Sequence, residues 1–109
     1  PPEKVAQYLV SLASYMHFGL DIPTIIIEQV IPRHEVKYPG FTQLAIDTNK
    51  EIARLLSSGE YNFIKFWKHK GFWHSPQRLL AADGTHCSQL GLRKYWSSVR
   101  GALLWARHH

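Results

Sequence analysis

The stretch PTIIIEQVI, residues 23–31, decides the fold class of this chain. It is rich in β-branched residues, almost continuously apolar, and bounded by Pro23 and Pro32. Such a run is typical of a β-strand covered on both faces, as strands are in a parallel sheet. We therefore predict a buried parallel strand over residues 23–31.

Helical periodicity flanks this strand on both sides. Apolar spacing predicts a first helix over residues 3–18, ended by Gly19, and a second over residues 41–56, ended by residues 57–59. On the first helix, one face is predicted to be buried and consists of Val5, Leu9, Leu12, Ala13 and Met16.

The second half of the chain repeats the alternation of strand and helix. Residues 62–67 are a second strand candidate, residues 68–87 form a long loop, and a last helix begins after Ser88 as its N-cap. The side chains of this helix that we predict to face inward are Leu92, Tyr95, Trp96, Val99, Ala102, Leu103 and Ala106.

This order predicts a single α/β domain over residues 1–109. A strand, a helix and a second strand in succession indicate a right-handed crossover in a parallel sheet. Two parallel strands leave faces and edges that need cover. The first helix also has no preceding strand, so we expect strands to be missing upstream: either this is a fragment, or a second chain supplies the rest. The exposed strand edge also makes self-association an alternative.

Composition narrows the functional classes. The 109 residues are 45% hydrophobic, which is enough to bury a core, and the formal net charge is +5. Cys87 is the single cysteine, so an internal disulfide is excluded. The sequence has neither a signal-peptide core nor a membrane-spanning stretch, so we predict a soluble protein without membrane contact. The sequence does not indicate a particular localisation.

The segment Asp83-Gly84-Thr85-His86 is the strongest candidate for chemistry. It lies in the loop before the last helix, after the second strand. An Asp-x-x-His pair alone can stabilise a turn through a local hydrogen bond. Its position favours a functional role, because parallel α/β sheets bind ligands beyond the carboxyl ends of their strands.

This segment, followed by Gly91 and an amphipathic terminal helix, resembles the last conserved block of the SGNH (GDSL-type) hydrolases. The strand ending at Pro32 and the mid-helix Asn49 agree with that resemblance. It implies a three-layer α/β/α fold with a parallel sheet, flavodoxin-like, of which this chain is the C-terminal half.

The resemblance also implies a mechanism. His86 would be the general base for a serine, and Asp83 would hold the imidazole in the correct tautomer. The substrate would be a small ester or acetylated molecule, without cofactor or metal. No serine here lies in a Gly-Asp-Ser block, so we expect the nucleophile to be absent and the chain alone to be inactive.

Other residues allow alternative interpretations. Cys87 follows His86 directly, and we favour an inert thiol over a nucleophile paired with His86. A zinc site formed by His74, Asp83, His86 and Cys87 is a further alternative that we do not favour. Glu28 and Gln29 lie near the C-terminal end of the first strand, and one of them could face the active-site rim. We favour instead a polar side chain that reaches a helix N-terminus or solvent at the edge of the sheet.

Basic and aromatic residues alternate after the second strand. We favour a lid or core packing for them over stacking on single-stranded nucleic acid. A degenerate, hydrolase-like module that binds nucleic acid is the alternative to an enzyme. The residues concerned are Lys65, Phe66, Trp67, Lys68, His69, Lys70, Phe72, Trp73, His74 and Arg78.

Overall fold

A computed structural model of the chain describes residues 1–33, 39–69, 72–73 and 87–108. The predicted mixed α/β class is confirmed. Within these ranges no helix is long and apolar enough to cross a membrane. The described helices and strands are α1 (Pro2–Gly19), β1 (Ile25–Glu28), α2 (Phe41–Leu56), β2 (Ile64–Trp67) and α3 (Gln89–His108).

The two strands form a parallel pair, as the sequence predicts. The register places Ile25 opposite Ile64 and Glu28 opposite Trp67. The backbone N–H of Gln29 extends the ladder by donating to the carbonyl of Trp67 at 2.9 Å. β1 is shorter than the predicted run over residues 23–31, because its hydrogen bonds reach only as far as the four-residue β2 can pair.

The main core lies between one face of the sheet and the helices α1 and α2. β1 contributes Ile25 and Ile27, β2 contributes Ile64, and α2 contributes Ile52, which is fully buried. Burying each such side chain stabilises the fold by about 1.5–3 kcal/mol. This layer therefore fixes the sheet against α1 and α2 and sets the position of the strand ends.

The buried face of α1 differs from the predicted one. Ala6 and Ala13 are buried together with Val10, whereas Val5 and Leu12 are 46% and 45% exposed. Small side chains let the α1 backbone approach the sheet and α2 closely, and larger ones would hold it away. Ala13 is buried as predicted, and Leu9 and Met16 pack at the margin of the core. The predicted face was therefore wrong at Val5 and Leu12 only.

α3 contacts the opposite face of the sheet through Lys65, Trp67 and Ile26. Its predicted N-cap is confirmed, because the Ser88 hydroxyl accepts the backbone N–H of Gly91 at 3.1 Å.

The predicted inward face of α3 is only partly buried. Ala102 is 4% exposed, but Leu92, Trp96 and Leu103 are 48%, 59% and 64% exposed. The apolar face of this helix is wider than the two strands beneath it. Leu92, Trp96 and Leu103 therefore remain largely exposed on α3.

Candidate functional site

The carboxyl ends of β1 and β2 meet at one edge of the sheet, and polar residues follow both strands there. β1 ends at Glu28 and continues into Gln29, while β2 ends at Trp67 and continues into Lys68 and His69. The Gln29 side-chain oxygen accepts a hydrogen bond from the backbone N–H of His69 at 2.7 Å. This bond ties the two strand ends together and fixes the backbone that bears the His69 ring.

The His69 ring is 2% exposed and contacts α3 through Ser98. Its Nδ1 lies 2.7 Å from the Ser98 hydroxyl oxygen, and the indole N–H of Trp67 donates to the same oxygen at 2.9 Å. An indole nitrogen can only donate, so Ser98 accepts that bond and can direct its own proton to Nδ1. We therefore assign the neutral tautomer of His69 that has its proton on Nε2.

The other side of the His69 ring faces a carboxylate. Nε2 lies 3.4 Å from Oε1 of Glu28 and, among the described residues, makes no hydrogen bond. The Tyr95 hydroxyl donates to the Glu28 carboxylate, at 3.2 Å from Oε1 and 3.1 Å from Oε2. Glu28, His69, Tyr95 and Ser98 thus form one connected group, which we name the His69 cluster.

Burial lowers the pKa of His69, and the attraction of the Glu28 carboxylate offsets only part of that effect. The imidazole is therefore neutral at pH 7, with a basic Nδ1 next to the Ser98 hydroxyl. Burial and then the Glu28 charge raise the pKa of Tyr95, so its phenol keeps its proton and remains a donor. The cluster has the order of groups that activates a hydroxyl: hydroxyl, imidazole, carboxylate.

An open groove of about 330 Å³ borders the Ser98 side of the cluster, and we name it the Ser98 groove. At its wall, Gly101 lets the Trp67 ring lie against α3, since a Cβ there would be 3.2 Å from that ring. Two lysines make the groove favourable for negative charge. The residues that line it are Trp67, Lys68, Lys94, Ser97, Ser98 and Gly101.

Asn49, noted in the sequence for its place in a helix, binds the chain just after β1. Its Oδ1 accepts the backbone N–H of Val30 at 2.8 Å, and its Nδ2 donates to the carbonyl of Val30 at 2.9 Å. These two bonds give the backbone N–H and carbonyl of Val30 hydrogen-bond partners beyond the end of the strand. Asn49 therefore holds the Glu28 and Gln29 backbone in the position that the His69 cluster needs.

Replacing Asn49 with alanine is expected to lower the free energy of unfolding by about 1–2 kcal/mol, because two half-buried backbone groups lose their partners. Urea denaturation followed by circular dichroism measures this change. Gln43→Ala is the matched control, since Gln43 is exposed on the same helix and its side chain donates to Asp47 within that helix. Equal losses in the two variants would show that the two hydrogen bonds between Asn49 and Val30 do not contribute to the free energy of unfolding.

The predicted catalytic pair, Asp83 and His86, lies outside the described residues. His74, invoked with Asp83 and His86 for a zinc site, also lies outside them. Among the residues that are described, no three His, Cys, Asp or Glu side chains lie close enough together to hold a metal ion. The triad and the zinc alternative therefore remain predictions.

The segment after β2 is described in part. Phe72 is fully buried, and its ring centre lies 6.1 Å from that of His69. This contact agrees with core packing for these two residues. Cys87 is half-buried, and burial raises the pKa of its thiol, which favours the unreactive protonated form and fits the inert-thiol interpretation.

Sequence reasoning did not identify the His69 cluster. It placed His69 in a basic and aromatic segment, Tyr95 on an inward helix face, and Ser98 among the serines without a Gly-Asp-Ser block. A signal was present, because His69 follows a strand end, and Tyr95 and Ser98 are three residues apart on one helix face.

Comparisons with known proteins assign no function to this site, so it is interpreted from its geometry. Protein-family models, curated proteins and solved structures were compared with the chain, and none of them matches it.

Proposed function

We propose that residues 1–109 are the C-terminal half of an SGNH-type serine acyl hydrolase with a three-layer α/β/α fold. In this proposal His86 is the general base for a serine outside this chain. Asp83 holds the imidazole in the required tautomer and stabilises its charged form. The substrate is a small ester or an acetylated molecule, and the chemistry needs no cofactor.

The observation that supports this proposal is where the segment bearing Asp83 and His86 is attached. It follows β2 at the carboxyl edge of the sheet, where His69 is buried. It is followed by Cys87, which lies near Tyr95 of the His69 cluster. Both attachment points are therefore near the edge at which parallel α/β sheets bind ligands. Helices against both faces of a parallel sheet also fit the proposed layers.

The tautomer of His86 tests this proposal in the 109-residue chain. A carboxylate at Asp83 that accepts from Nδ1–H fixes the Nδ1–H form, whereas a free histidine favours the other tautomer. Long-range proton–nitrogen NMR of the His86 ring is therefore expected to report Nδ1–H in the unaltered chain. Asp83→Asn is expected to remove that preference, because an amide no longer selects one ring nitrogen as donor.

Asp47→Asn is the control, since Asp47 lies on α2 and bonds Gln43 at the surface. An unchanged His86 tautomer in Asp83→Asn would rule out the proposed pair. If the 109-residue chain turns over p-nitrophenyl acetate and this activity depends on Asp83 and His86, the prediction that the chain lacks its nucleophile is wrong. If His86 does not show the Nδ1–H tautomer and the chain binds a generic oligonucleotide with an affinity that falls as salt increases, the nucleic-acid-binding alternative is favoured.

A further inference from the structure

We propose that Ser98 is a reactive nucleophile in its own right, which takes up an acyl or phosphonyl group in the Ser98 groove with His69 as its base. This site is independent of the proposed function, because it uses neither Asp83 nor His86. It predicts a covalent, single-turnover reaction rather than hydrolysis by the 109-residue chain.

The hydrogen bonds at the Ser98 oxygen prepare it for attack. The oxygen accepts one bond from the Trp67 indole at 2.9 Å and directs its proton to His69 Nδ1 at 2.7 Å. A hydroxyl has two lone pairs, so one remains for an electrophile. The indole N–H also stabilises the negative charge that forms on the oxygen as its proton leaves.

His69 has the surroundings of a general base. Its ring is 2% exposed, so water does not compete for Nδ1. Nε2 has no hydrogen bond among the described residues and faces Glu28 Oε1 at 3.4 Å. When Nδ1 takes the proton, the carboxylate stabilises the charged ring, and the Tyr95 hydroxyl holds that carboxylate in place. Glu28 is thus a positioning residue that acts through His69.

The Ser98 groove accounts for the class of ligand. Its volume of about 330 Å³ admits a small acyl or phosphonyl donor next to the hydroxyl. Lys68 and Lys94 line the same groove, so negative charge that develops on a carbonyl or phosphoryl oxygen meets two cations. A small donor that itself bears negative charge fits this wall better than a neutral one.

The reaction with a fluorophosphonate balances without a further reactant. A lone pair of the Ser98 oxygen forms a bond to phosphorus, and the phosphorus–fluorine bond breaks with its electron pair to release fluoride. The hydroxyl proton moves to His69 Nδ1, the Glu28 carboxylate stabilises the resulting imidazolium, and the proton then passes from Nδ1 to water. With an ester, the oxygen bonds the carbonyl carbon, the ester carbon–oxygen bond breaks, and the leaving alkoxide takes the proton from Nδ1.

The test uses a fluorophosphonate on the 109-residue chain, with intact-mass measurement and peptide mapping. One adduct on Ser98 is expected, and Ser98→Ala is expected to abolish it. His69→Asn keeps an oxygen acceptor near Ser98 but removes the base, so the labelling rate is expected to fall about 10²-fold or more. Ser11→Ala is the control, because Ser11 is exposed on α1, on the other side of the sheet from the Ser98 groove, and its labelling rate is expected to be unchanged.

If His69→Asn does not fold, Glu28→Gln tests whether His69 acts as the base. The Glu28 side chain is 40% exposed, so we expect this variant to fold. Because the Glu28 charge raises the pKa of His69, the acid limb of the labelling rate is expected to move to lower pH in this variant. A purely structural role for Glu28 would leave that limb in place.

Labelling that is equal on Ser97 and Ser98, or that does not depend on His69 or Glu28, would overturn the proposal. His86→Ala separates this inference from the proposed hydrolase, because Ser98 labelling is expected to persist in that variant. Labelling that requires His86 instead of His69 would overturn the role of His69, and it would also contradict the proposal that the serine served by His86 lies outside this chain.

Discussion

Ile52→Ala is expected to lower the free energy of unfolding by about 2–5 kcal/mol, which is the usual loss when a buried isoleucine is truncated and leaves a cavity. Ile52 is fully buried on α2, in the layer where α1 and α2 meet the sheet. A small domain is stabilised by only about 5–15 kcal/mol in total, so this one change removes a large fraction. Urea denaturation followed by circular dichroism measures it.

Leu44→Ala provides the control on the same helix. Leu44 is 46% exposed, so its truncation is expected to change the free energy of unfolding by no more than about 0.5 kcal/mol. The comparison separates core packing from helix propensity, because both variants place alanine on α2. Similar losses at the two positions would mean that Ile52 is not at the centre of the core.

The elements of the fold were predictable because they depend on local patterns. α2 begins at Phe41 and ends at Leu56, as the spacing of apolar residues and the terminating Ser-Ser-Gly sequence indicate. The parallel arrangement followed from the order strand, helix, strand. The ends of β1 were less predictable, because a strand ends where its partner stops pairing, and that depends on β2.

The buried faces of the helices were predicted less well, because hydrophobicity does not report how closely two elements approach. On α1, Ala6 is buried although it is small, while Leu12 is 45% exposed. On α3, Trp96 is 59% exposed although it lies on the apolar side. The size of side chains at the contact and the width of the sheet decide these cases, and both are tertiary properties.

The His69 cluster illustrates why the candidate site was missed. Ser98 is 29 residues from His69 in the sequence, and Tyr95 is 67 residues from Glu28. No motif joins such distant positions. The sequence did place Glu28 at a strand end, but only the register of β1 and β2 together with the position of α3 shows which side chains meet there.

His69→Ala is expected to lower the free energy of unfolding by about 2–4 kcal/mol at neutral pH, through a cavity and the loss of a hydrogen-bond partner for Ser98. His69→Asn retains an acceptor for the Ser98 hydroxyl and is expected to lose less. The difference between the two variants, measured by urea denaturation, reports how much the imidazole contributes by packing and how much by its bond to Ser98. Equal losses would assign the whole effect to the ring itself.

Protonation of His69 is expected to destabilise the fold as the pH falls. Burial lowers the pKa of His69 in the folded chain, so below its ordinary value of about 6.5 the unfolded chain binds more protons than the folded one. Stability is therefore retained above that pH and is lost as the pH falls towards the lowered folded pKa. For one proton the slope reaches at most about 1.4 kcal/mol per pH unit.

The same denaturation experiment, repeated between pH 7.5 and pH 5, measures this slope. His69→Asn is expected to have the shallower pH dependence, because its amide does not titrate. Glu28→Gln is expected to extend the loss to lower pH, since removal of the carboxylate takes away the attraction that partly restores the His69 pKa. His108→Gln, at the exposed end of α3, is expected to follow the unaltered chain. If His69→Asn and the unaltered chain lose stability in parallel, the buried imidazole is not the group that takes up the proton.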